Sequence, residues 1–198
     1  MDALDALHTR TSNAALGEPG PDENQLASLL RAADHAPDHG LMRPWRFFVV
    51  QGEARQRLGE VMAESLRARE PESTPENLER ERNKPLRAPM LLVVAASPRE
   101  RRGVPETEQV LAAAAAAENV MLAAYALGLG AYWRTGDAAY DPAIKAAFGL
   151  APTDAIVGYL YLGTPLPPQT AAPPRRPRPP SQAFDWHGRD DMRPRPID

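Results

Sequence analysis

TEQVLAAAAAAENVMLAAYALGLGAYWR, residues 107 to 134, holds the longest regular element of the chain and decides its architecture. From about Thr107 to Leu127 almost every residue is a strong helix former, and Glu108 and Glu118 are nearly the only charges. A helix with so little polarity on any side is expected to be buried, and alanine on all faces allows close approach of another helix or another subunit. Gly128 and Gly130 end it, and a short strand is expected over Ala131 to Arg134.

Outward from this segment, the same rules place the other elements. Asp22 and Gln25 form a capping box ahead of Leu26, Leu29, Leu30 and Ala33, which predicts a helix from about 23 to 35, stopped by Pro37. Trp45 to Val50, Met90 to Ala95 and Ile156 to Leu162 are strand candidates. An amphipathic helix over 53 to 69, one opened by Thr74-Pro75 and one from Asp141-Pro142 to Gly149 fill the intervals. Helices and separated strands without a βαβ repeat give a helix-rich α+β fold.

The 198 residues favour one domain. The absence of cysteine removes thiol nucleophiles, zinc fingers, iron–sulfur clusters and redox CxxC sites. A net charge of -3 argues against a nucleic-acid or anionic-membrane surface. No apolar run reaches the roughly 18 residues of a membrane span, so a soluble cytoplasmic protein is expected. Proline is concentrated in residues 165 to 198, which hold 10 of the 22. The expected division is a domain over 1-164 and a Pro/Arg-rich arm over 165-198. Pro173 to Pro180 should be polyproline II. The arm is either a flexible terminus or, given Phe184, Trp186 and Ile197, a segment that packs along another subunit.

Few segments carry chemistry by themselves. Gly128-Leu129-Gly130 closes a helix instead of opening one, so it cannot cradle a dinucleotide phosphate. His35 and His39 have the spacing of a metal pair, but Pro37 breaks the helix between them and no HExxH glutamate accompanies them; they remain surface histidines or ligand contacts. Arg10-Thr11-Ser12 and Arg134-Thr135 each place a guanidinium beside a hydroxyl, which suits a phosphate and equally suits surface ion pairing.

Taken in order, MDALDALHTRTS, RAADHAPDHGLMRPWRFFVV, GLGAYWRTG and IVGYLYLGTP resemble the nitroreductase family of FMN-dependent NAD(P)H oxidoreductases, over residues 1 to about 165. The resemblance implies a central, mostly antiparallel sheet flanked by helices, and an intertwined homodimer with an FMN in each of two clefts built by both subunits. Arg10, Thr11 and Ser12 would contact the cofactor, with Trp133, Arg134 and Thr135 on its other side and His35 and His39 reaching in from the partner. Ala123, Ala124, Tyr125, Ala126, Leu127 and Gly128 match a region associated with NAD(P). Thr11 and His35 stand where relatives often carry a basic residue, so phosphate binding should lean on Arg10 and Arg134. The implied reaction passes electrons from NAD(P)H through the flavin to a nitroaromatic, a quinone or a similar small acceptor in ping-pong fashion. Alternatives are a non-catalytic flavin-binding or proline-motif interaction protein, or another flavin reaction on the same fold such as dehalogenation or ring fragmentation.

Overall fold

A computed structural model of the chain describes residues 1–167, 183–188 and 191–195. They fall into two compact units, one ending at Pro167. In the first, α1 (Ala3–Thr9), β1 (Leu16–Gly17), α2 (Glu23–Asp34), β2 (Trp45–Gln51), α3 (Glu53–Arg69), α4 (Pro75–Arg82), β3 (Met90–Ala96), α5 (Glu106–Ala126), β4 (Gly130–Arg134), α6 (Pro142–Ala147) and β5 (Ala155–Pro165) follow one another. The second contains β6 (Ala183–Gly188) and β7 (Asp191–Arg195), an antiparallel hairpin.

All pairings in the main sheet are antiparallel, with β5 lying between β3 and β4, β2 outside β3, and β1 against the end of β5. Strand β3 is buried along its whole length. Its side chains alternate between two cores, as the period of a strand requires. Met90, Leu92 and Val94 join Leu29, Ala113, Val120 and Leu160 under α2 and α5. Leu91, Val93 and Ala95 join Leu58, Met62, Ile144 and Tyr159 under α3 and α6.

The expected α+β architecture is the observed one, and the capping box of α2 is present in full. Two expectations need correcting. Helix α5 is long and apolar enough to cross a membrane by length and composition alone, whereas no such run was expected. Nor is it buried on all sides: Ala112, Ala113, Ala116, Ala117, Val120 and Ala124 pack inward, while Leu111 is 61% exposed. Among the described residues α1, α2, the sheet and the 3-10 turn His39–Leu41 pack on it. The hairpin was not expected either. The polyproline run and the side chains of Phe184, Trp186 and Ile197 lie outside the described residues.

The α3–α6 side is tied by a buried carboxylate. Asp141 caps α6, accepting from the backbone N–H of Ala143 at 2.8 Å. It also accepts from the Ser65 hydroxyl and pairs with Arg69 Nε at 2.9 Å. Burial by itself would raise the Asp141 pKa, but the hydroxyl, the two backbone donors of α6 and the guanidinium outweigh it and hold the carboxyl below its usual range.

Candidate functional site

The segment after α1 reaches the site because it borders β4. Arg10 ends the helix, and Asn13 N–H donates to the Ala131 carbonyl at 2.9 Å, so residues 10 to 13 run beside that strand. Arg10 turns toward α5, where its Nε lies 3.4 Å from Glu118. Its Nη1 is buried with no hydrogen-bond partner among the described residues. Thr11 is half-buried and Ser12 exposed. The end of α5 meets the same place, since Tyr125 donates its hydroxyl to Thr9 Oγ1 at 3.0 Å. Of the segment associated with NAD(P), Ala124 packs in the core and Ala123 against it, which leaves Ala126, Leu127 and Gly128 open.

Strand alternation separates Trp133 from Arg134. Trp133 packs with Ala131 against the α2–α5 core and donates from Nε1 to the Val157 carbonyl at 3.3 Å. Gly158 makes room for it: a Cβ there would lie 2.1 Å from Trp133 Nε1. Gly158→Ala is therefore expected to displace the indole, quenching or shifting tryptophan fluorescence and lowering stability by about 1 to 2 kcal/mol. An unchanged spectrum and melting temperature would contradict this packing.

Arg134 points to the opposite face, its guanidinium 4.1 Å from the centre of the Tyr132 ring and 5.8 Å from that of Tyr161. Thr135 and Gly136 follow, and these residues line a cavity of about 300 Å³ together with Lys84 and Arg87. Lys84 is paired with Glu81. Burial pushes the Tyr161 phenol up, and Arg87 and Arg134 pull it part of the way back. Three cations and a buried phenol make the cavity electropositive. Lys84 and Arg87 escaped the sequence reading because a short turn after α4 carries no motif; only the fold sets them opposite Thr135.

His35 ends α2, exposed, with Nδ1 donating to the Arg31 carbonyl at 2.7 Å, which leaves Nε2 outward. His39 opens the 3-10 turn His39–Leu41, and its Nδ1 lies 2.5 Å from Glu108. Glu108 and Glu118, the anchors of His39 and Arg10, are ten residues apart on α5. At the helical rise this is about 15 Å. Within one chain, then, Thr9 and Arg10 meet α5 at Tyr125 and Glu118, Arg134 and Thr135 meet Lys84 and Arg87, and the histidines meet neither group.

The sequence model of the Nitroreductase family matches residues 8–164. The chain is 42% identical over 165 residues to the Escherichia coli (strain K12) protein named "Putative NAD(P)H nitroreductase YdjA", covering 83% of this chain and 89% of that one. Among solved structures, it is similar to a nitroreductase-like family protein from Bacillus cereus, with a TM-score of 0.74, 26% identity and coverage of 91% and 92%. Its fold is also like that of a nitroreductase with bound FMN from Bacteroides fragilis, with a TM-score of 0.64, 21% identity and coverage of 91% and 100%.

Proposed function

Since the chain belongs to the nitroreductase family, we propose that it is an FMN-dependent oxidoreductase that carries electrons from NAD(P)H to a small acceptor such as a nitroaromatic or quinone. The observation that carries the cofactor assignment is the buried, unpartnered Nη1 of Arg10. A buried donor without an acceptor costs about 1 to 3 kcal/mol. A phosphate oxygen removes that cost and adds a charge-assisted bond, with the exposed Ser12 hydroxyl two residues on as a second donor.

FMN, when bound, would supply the two-electron chemistry, and the protein's part is to bind, orient and tune it. Arg10, Thr11 and Ser12 would take the phosphate end. The end of β4, Trp133 to Thr135, would border the cofactor's other end, with Trp133 on the α5 side of the strand and Arg134, joined by Lys84 and Arg87, on the opposite side. One cleft serving donor and acceptor in turn would give ping-pong kinetics. Ala126, Leu127 and Gly128 are the open part of the segment assigned to NAD(P).

The same reading makes the protein a homodimer. Leu4 and Leu7 on α1 and Leu111 on α5 are each more than half exposed. Covering them against a second copy would bury the open side of α5 and bring His35 and His39 to the other subunit's cofactor. The cofactor-binding domain is then 1-164, with 165-198 a separate arm, and a nicotinamide reductant suits a cytoplasmic setting.

The purified protein, saturated with FMN and passed through a desalting column, is expected to stay yellow with about one FMN per chain, to elute as a dimer, and to bleach anaerobically with NADPH or NADH. A colourless protein that fails to take up micromolar FMN overturns the assignment. A monomer that holds FMN overturns the shared cleft.

A further inference from the structure

The loop carrying His39 is held in an unusual shape by side chains from a different part of the chain. Gly40 has φ +73, Leu41 +54 and Arg43 +45. Two of the three are not glycine, and left-handed backbone at such residues is costly. Leu41 is 83% exposed, so its own side-chain packing does not hold the turn. A loop free to relax would not keep this conformation; strained backbone persists where its surroundings over-determine it.

Those surroundings are specific. The carbonyls of Gly40 and Met42 turn inward, where Arg101 Nη1 donates to the first and Arg99 Nη2 to the second. Arg101 Nη1 also lies 3.5 Å from Met42 Sδ, and Met42 is buried. On the other flank, Asp38 accepts from Arg43 N–H at 2.6 Å, and the Arg43 guanidinium pairs with Asp34 at 2.8 Å. Gly40 sits against Val104 and Arg101: a Cβ there would be 3.0 Å from Val104 Cγ2. Neither Arg99 nor Arg101 has a carboxylate partner among the described residues, so both guanidiniums are committed to backbone carbonyls of this turn. The His39 ring is then fixed by Glu108.

We propose that Arg99 and Arg101, from the β3–α5 connection, are positioning residues that pre-shape the 38–43 loop so that His39 is presented to the cofactor cleft of a second subunit. The proposal rests on the reading that His39 serves FMN. An already ordered loop loses less conformational freedom on engaging the ligand, and that saving appears as affinity.

The test is FMN titration of the full-length apo-protein, followed by flavin fluorescence, for R101A, R101K, R99A, H39A and the R101A/H39A pair, with thermal melting and dimer content measured alongside. R101A and R99A are each expected to weaken FMN binding by about tenfold. R101K should recover part of the loss, because an ammonium can still reach one carbonyl. The double variant should bind no worse than H39A alone, because Arg101 acts through the loop. If H39A binds as the parent does, the reading beneath the proposal fails and the proposal with it. If H39A is weakened while R101A and R99A are not, only the proposal fails. Losses that add in the double variant, or that only track a lower melting temperature, also overturn it, because a general stabilising contact behaves that way. Should R101A not fold, R99A and R101K decide the same question.

Discussion

Arg10→Ala is expected to raise the FMN dissociation constant about tenfold to a hundredfold while leaving the melting temperature of the apo-protein nearly unchanged. Two effects point the same way. The substitution deletes the buried Nη1 donor that has no partner among the described residues, and it removes the cation that balances Glu118 at the proposed phosphate site. Arg10→Lys should fall between the two, keeping the charge and losing the planar fork. Arg134→Ala should lose less than Arg10→Ala, because its guanidinium is spent on the faces of Tyr132 and Tyr161, on the side of the sheet away from Arg10. The resemblance alone weights these two arginines equally; their geometry does not. Titration of the three apo-variants decides it, and an Arg10→Ala protein that binds like the parent, or better than Arg134→Ala, refutes the phosphate role of Arg10.

The largest loss of stability is expected from Asp141→Ala, about 3 kcal/mol near neutral pH from the missing cap, the buried Ser65 hydroxyl left unpaired and the broken contact to Arg69. For a domain of this size that is a fall in melting temperature of roughly 6 to 12 °C. The effect should depend on acidity in one direction. The folded-state pKa of Asp141 is depressed, so its stabilisation is fully present above the ordinary aspartate value and disappears as pH falls through the folded one. Melting temperatures of parent and variant should therefore draw together below about pH 4. A gap that stays constant down to pH 3 would mean that the ionised form is not what stabilises α6.

What the sequence discloses is periodicity and punctuation. Helix α3 begins and ends where the amphipathic pattern over 53 to 69 does, and Thr74-Pro75 opens α4 as its cap chemistry requires. Strand β1 was illegible, since two residues have no period and pair only because Thr164 and Pro165 lie opposite them. The hairpin β6–β7 was hidden by composition: Pro194 within β7 argues against a strand, yet it stands in register opposite Phe184. At the site, RTS and WRTG are visible as strings, but the side of the sheet each residue faces is not. That Trp133 and Arg134 face opposite ways is alternation, but which of them meets the α2–α5 core follows from β4 pairing with β5, and Lys84 and Arg87 reach the cavity through a turn. Tertiary placement of this kind leaves no local trace.

The hydrogen bond from Tyr125 to Thr9 spans 116 residues of chain. At synthesis rates of about 5 to 20 residues per second, the Thr9–Arg10 corner exists for roughly 6 to 23 s before the tyrosine that meets it has been made. Through that interval α1 lacks the end of α5 that it meets in the finished fold, and the corner can form before β4 and β5 have been translated. Ribosome-bound chains halted before Glu118 should therefore hold α1 undocked, and its docking would coincide with the completion of α5.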